Sequence, residues 1–157
     1  MKAVIPGGSS APILTAEEVA QCTLDFESLA ALKSMLGSGA IIVMDEDTDI
    51  AQVVYRITKF YEHESCGWCV PCREGTRWMR KLLERLLSGG GRPKDLDLLY
   101  ELARNIFGTT HCPLGDAAAW AVYPAIEKFR ADFEKYVRAP VVSAELPEVS
   151  APRRLAV

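Results

Sequence analysis

Three of the five cysteines in this 157-residue chain fall within seven residues, in the stretch ESCGWCVPCREGT at 64–76. Cys66, Cys69 and Cys72 are too crowded to pair among themselves, and an odd total leaves at least one thiol over. The opening residues MKAVIPGGSS carry one lysine and no long apolar run, unlike a secretory signal, so a disulfide framework is not expected. Clustered thiols in such a chain point to metal binding or redox chemistry. The fold must therefore bring a fourth ligand to this stretch.

Hydrophobic periodicity indicates how. From Asp47 onward Ile50, Val53, Val54, Ile57, Phe60 and Tyr61 recur at helical spacing, with Asp47 or Thr48 as the expected cap. A second helix is expected from about Arg73, with Trp78, Met79, Leu82, Leu83, Leu86 and Leu87 on its apolar face, to a stop at Gly89-Gly90-Gly91. A third runs from Pro93 to Phe107. A fourth spans about Asp116 to Val137, with a break or kink expected at Pro124. The reading is a mostly α chain: a four-helix bundle over 48–138, behind an incomplete β unit over 1–47 and ahead of a flexible, proline-bearing tail over 139–157. Within the first unit, TAEEV at 15–19 reads as a short helix and Ala40 to Met44 as a buried strand. So little β material suggests a unit whose earlier strands lie elsewhere.

In an up-down-up-down bundle the first and third connections share one end. The clustered cysteines lie on the first connection, and Cys112, in THCPLGD, on the third. Topology thus supplies the fourth thiol. A three-plus-one pattern, Cys-x2-Cys-x2-Cys with a remote Cys-Pro, is the ligand arrangement of [4Fe–4S] proteins, whereas zinc sites more often present two pairs. Structural zinc in an interaction domain is the alternative from another class. The Cys66-Gly-Trp-Cys69 dithiol resembles a thioredoxin-type motif, but it follows a helix and continues into Cys72.

Neighbouring residues suit an anionic centre. Arg73 and the start of the second helix supply positive potential, Pro113 follows the remote thiol, and Gly67 and Gly115 let backbone N–H groups approach sulfur. Trp68, Val70 and Leu114 are expected to exclude water. Cys22 reads as a small buried hydrophobe, His63 and His111 as bystanders, and Glu62 and Glu64 as a solvated face. A net charge of −3 argues against nucleic acid, and no apolar run is long enough for a membrane span. No nucleotide or flavin fingerprint is present.

With ESCGWCVPCREGT followed by GTTHCPLGDAAAW, the chain resembles the C-terminal part of the NADH-binding flavoprotein subunit of NADH-quinone oxidoreductase (respiratory complex I), and of related diaphorase subunits of NAD-linked hydrogenases and formate dehydrogenases. VIPGGSSAPIL and KSMLGSGAIIVMDED resemble that family's β-grasp-like, SLBB-type region. The resemblance implies that Cys66, Cys69, Cys72 and Cys112 bind a [4Fe–4S] cluster receiving electrons from FMN after NADH has reduced it. It implies a thioredoxin-like [2Fe–2S] subunit and a larger iron–sulfur subunit as partners, and a cytoplasmic location peripheral to the inner membrane. The family's FMN- and NADH-binding domain has no counterpart in these residues, so the chain is read as a fragment or a split subunit, inactive towards NADH alone.

Overall fold

A computed structural model of the chain describes residues 1–138; the tail expected over 139–157 lies outside the described residues. The chain is mostly helical with one small sheet. Strands β1 (Ala3–Ile5), β2 (Leu14–Thr15) and β3 (Ile42–Met44) form an antiparallel sheet in the order β2-β1-β3. Register sets Ala3 opposite Thr15 on one side and opposite Met44 on the other. β1 is wholly buried and has a strand on each edge.

The run Ala40 to Met44 does not form the buried strand its composition suggests. Only Met44 is buried, and Ile41, Ile42 and Val43 are exposed. A short apolar run reports strand formation but not whether anything covers its outer face. TAEEV does open a helix: α1 (Ala16–Val19) starts with a reciprocal capping box, in which Thr15 accepts from the Glu18 amide while the Glu18 carboxylate accepts from the Thr15 amide. The short α2 (Phe26–Ala31) follows, capped by Asp25.

Four long helices come next. In α3 (Ile50–Glu64) the buried residues Ile50, Ala51, Val54, Thr58 and Tyr61 mark one face. The Thr58 hydroxyl inside that face donates to the Val54 carbonyl at 2.8 Å. Its cap is Asp49, not Asp47 or Thr48, with Oδ1 accepting from the Ala51 amide at 3.0 Å. Three acidic or hydroxyl residues within the stretch 47–49 offer competing caps, and tertiary packing selects among them. The Ile50 amide also donates to Asp132, at 3.0 Å, far along the chain.

Helix α4 (Val70–Arg85) starts three residues before its expected position, with Cys69 as N-cap. Pro71 in its first turn is tolerated there because that amide would have no intrahelical acceptor. Cys72 therefore sits inside a helix rather than on a loop. Beyond Arg85 the chain widens into a π turn (Leu86–Gly90) and leaves it through Gly89, at φ +77°. α5 (Asp95–Ile106) follows.

The last helical region differs most from expectation. α6 (Leu114–Lys128) runs continuously through Pro124, and the break falls at Phe129, at φ −127° and ψ 37°, before α7 (Arg130–Glu134). Pro124 is buried, as are Ala118, Ala119, Ala121, Val122 and Ala125 of the same helix. The break coincides with Lys128, whose ammonium donates to the Ile13 carbonyl at 2.9 Å and pairs with Glu18 at 2.8 Å.

Within this set α3 packs on α4, α4 on α5, α5 on α6 and α6 back on α3. α6 also touches α4, which explains its nearly all-round burial and its small side chains. Ala3, Ile5, Ile13 and Met44 of the β unit join the same buried cluster as Met79, Leu83, Leu99, Val122 and Phe133. Among the described residues no helix is long and apolar enough to cross a membrane.

Candidate metal centre

Two connections define the centre. The first leaves α3 at Ser65 and enters α4 at Cys69; the second leaves α5 after Ile106 and enters α6 at Pro113. They touch. The His111 amide donates to Cys69 Sγ at 3.3 Å, across 42 residues of sequence. The Trp68 and His111 rings lie 5.3 Å apart on the same seam.

Cys72 is nearly buried on the first turn of α4, at 7% exposure. Cys69 is intermediate, while Cys66 and Cys112 are exposed. All are free thiols. Burial pushes the Cys72 thiol up; the Ser65 hydroxyl opposes this, and the neighbouring Cys112, Cys66 and Cys69 thiols add to the rise. A bound cation reverses this direction, because coordination deprotonates thiols outright.

Four free cysteines are the donor set an iron–sulfur cube takes. Among the described residues no group of three His, Cys, Asp or Glu side chains is placed to hold a metal ion.

The supporting residues act differently from expectation. Arg73 is clamped: Nη1 donates to the Gly67 carbonyl at 2.7 Å and Nε to Glu74 at 3.0 Å. It ties the Cys66–Cys69 loop to α4, and its charge is shared with Glu74. Gly67 sits at φ +80°, a left-handed conformation that explains the glycine. Gly115 is tightly packed, since a Cβ there would lie 2.5 Å from Thr110 Oγ1. Pro113 is the N-cap residue of α6. Trp68 and Val70 do not seal the site; they are 75% and 59% exposed. Leu114 alone of the three is partly buried.

Cys22 lies apart and half-buried, its thiol 3.5 Å from the Val19 carbonyl. The His63 ring is exposed and turned to Glu64. Glu62 pairs with Arg80.

Three contributors were not singled out from the sequence. Ser65 Oγ lies 3.2 Å from Cys72 Sγ and accepts from the Gly67 amide at 3.3 Å. With Cys72 as thiolate, the hydroxyl is necessarily the donor. Thr110 Oγ1 donates to the Cys112 carbonyl at 2.9 Å and shapes the second loop. The His111 contribution is its backbone amide, which any residue but proline supplies. Ser65 alone could have been suspected, as a hydroxyl beside the first cysteine.

Residues 52–136 match the family described as the NADH-ubiquinone oxidoreductase-F iron-sulfur binding region. The chain is 48% identical over 138 residues to the F subunit of NADH-quinone oxidoreductase from Rickettsia bellii (strain OSU 85-389), covering 88% of this chain and 33% of that one. It is 45% identical over 138 residues to the mitochondrial NADH dehydrogenase [ubiquinone] flavoprotein 1 of Dictyostelium discoideum, covering 88% and 29%. Among solved structures, an NAD+-reducing [NiFe]-hydrogenase in the H2-reduced state superposes with a TM-score of 0.74 at 29% identity, over 89% of this chain and 24% of that one. The chain thus spans about a third of the length of the curated relatives it matches.

Proposed function

Because the chain belongs to the NADH-ubiquinone oxidoreductase-F iron-sulfur binding family, we propose that Cys66, Cys69, Cys72 and Cys112 hold a [4Fe–4S] cluster that relays single electrons within an NADH dehydrogenase of the complex I type. The observation that carries this reading is the His111 amide on Cys69 Sγ, which seats the loop of the remote thiol against the clustered three. When bound, such a cluster supplies one-electron transfer and no open position for substrate.

The chain's residues do the rest. The four thiolates fix the group at the end of α4, with Cys72 anchored in the buried helix and Cys66 and Cys112 at the surface. The Ser65 hydroxyl and the His111 amide place positive hydrogen-bonding dipoles on two of the sulfurs, which favours the more negative redox state and raises the potential. Arg73 holds the Cys66–Cys69 loop in place through Gly67. The packing of α3 to α6 supports a four-helix bundle, and the resemblance supports an SLBB-type origin for residues 1–47.

In the proposed assembly, NADH and FMN are held by the part of the relatives' length that this chain does not span. The electrons pass from FMN through this centre and, by way of a thioredoxin-like [2Fe–2S] subunit and a larger iron–sulfur subunit, towards quinone. The chain meets the inner membrane only through those partners, on its cytoplasmic side. The hydrogenase likeness favours a second reading, the same module in an NAD-linked diaphorase. The higher identity to the NADH-quinone oxidoreductase relatives ranks it behind.

Iron and sulfide analysis with low-temperature EPR of the dithionite-reduced chain tests the proposal. The expected result is a brown protein with about four irons per chain and a cubane spectrum that Cys112→Ala abolishes. A colourless chain with stoichiometric zinc overturns it. The same preparation is expected not to reduce ferricyanide with NADH.

A further inference from the structure

Helix α4 is the basic element of an acidic chain. It carries five cations, Arg73, Arg77, Arg80, Lys81 and Arg85, against two carboxylates, Glu74 and Glu84, while the whole chain has a net charge of −3. Three of the cations are committed: Arg73 to Glu74, Arg80 to Glu62 and Glu84, Arg85 to Asp95. Arg77 and Lys81 are exposed, one helical turn apart, and make no ion pair among the described residues.

Beside them a groove of ≈ 390 Å³ opens between α4 and α5, with Trp78, Leu82, Leu98 and Leu102 as its walls. Trp78 is 53% exposed and Leu98 is 49% exposed, on opposite sides. Lys81 stands on the α4 rim and Glu101 on the α5 rim. Trp78 to Arg85 rises about 10 Å along the axis, two helical turns. An exposed tryptophan beside an apolar trough, edged by uncommitted charge, has the composition of an interface anchor rather than of solvated surface.

We propose that this groove docks an acidic amphipathic helix of another protein chain. Its apolar side chains, spaced one turn apart, fill the trough between Trp78 and Leu98. Its carboxylates face Arg77 and Lys81, and a cation towards Glu101 fixes the direction in which it lies. A nucleic acid is excluded as occupant by the apolar walls and the chain's negative charge.

The test uses the complete complex carrying this chain, with Leu98 replaced by the photo-crosslinker benzoylphenylalanine. Mass spectrometry of the adducts is expected to place position 98 against one segment of a different subunit, with Asp and Glu along a helical face. A synthetic peptide of that segment is then titrated against the full chain. Lys81→Glu is expected to weaken binding at least about tenfold and to flatten its salt dependence. Trp78→Ala is expected to weaken it about thirtyfold, as for an interface anchor. Lys81→Glu lies on an exposed position, so it remains decisive if the tryptophan variant misfolds, and its EPR spectrum is expected to match the parent's. Adducts with a second copy of this chain, with a segment lacking acidic residues, or with nothing overturn the proposal. So does a peptide affinity that Lys81→Glu leaves unchanged. Loss of cluster in the parent chain would sink the redox reading without touching this one.

Discussion

At residue scale, Gly115 shows how one hydrogen atom governs the remote thiol. Alanine is the better helix former by about 1 kcal/mol, so Gly115→Ala ought to stabilise α6 on propensity alone. The added methyl instead meets Thr110 Oγ1 at 2.5 Å and Cγ2 at 2.6 Å, on the side chain that shapes the Cys112 turn. Overpacking of this kind costs about 1–3 kcal/mol. Gly115→Ala is therefore expected to lower stability and iron retention together, and Thr110→Ala in the same chain to restore stability. Measuring both by chemical denaturation and iron content settles it: a single variant as stable as the parent removes the argument. Cys66, Cys69 and Cys72 stand out in the sequence by their close spacing, and Cys112 by the helix connection it lies on. Ser65 and the His111 amide do not, since a hydroxyl or a peptide N–H has no spacing of its own. Trp68 and Val70 show the converse error, where apolar character was read as burial although nothing among the described residues covers them.

At element scale, the joint between α4 and α5 rests on a buried carboxylate. Asp95 receives Arg85 at 2.8 and 2.6 Å and the Arg92 amide at 3.0 Å, and its side chain is only 5% exposed. Arg85→Ala leaves that charge buried with a single donor, which costs about 1–3 kcal/mol or more. The expected outcome is a lower urea midpoint, with much of the loss recovered when Asp95→Ala is added. A double variant no better than the single one would show that the pair itself, rather than the stranded charge, supplied the stability. Helix faces were the most readable part of the sequence, although Phe60 and Trp78, expected on apolar faces, are 50% and 53% exposed because periodicity does not fix how wide the covered stripe is. Boundaries were not. Pro124 was expected to break or kink the last helix, yet α6 passes through it, and α4 starts at Val70 rather than Arg73, with Pro71 tolerated in its first turn.

At the scale of the molecule, long-range polar ties join the β unit to the helices. Lys2 pairs with Asp132 at 2.6 Å, and Lys128 reaches Glu18 and Ile13. Asp49, beside them, caps α3 and receives the Tyr136 hydroxyl and Lys135. Burial works against its ionisation, but the Tyr136 hydroxyl and Lys135 outweigh it and hold its carboxyl below the ordinary value. A depressed folded-state pKa stabilises the fold above the unfolded value of about 3.9 and loses that contribution as pH falls through the folded one. Thermal melts of Asp49→Asn, which keeps the capping oxygen, should therefore fall below the parent at neutral pH and converge with it in acid. A gap that is constant with pH would rule the charge out as its source. The sheet was only half legible at this scale, because whether β3 faces a partner or water depends on chain that lies elsewhere in space.

Cys69 stands where helices favour serine or aspartate, and no side chain there accepts from the amides of α4's first turn. That turn has given up its own latch to the thiol site. With the site empty, the leading coil of α4 should fray, and the Val70 and Cys72 amides should exchange with deuterium faster than those around Leu83; filling the site should slow them. On the proposed reading, the beginning of α4 is a door that stays open for loading and that the cargo itself shuts.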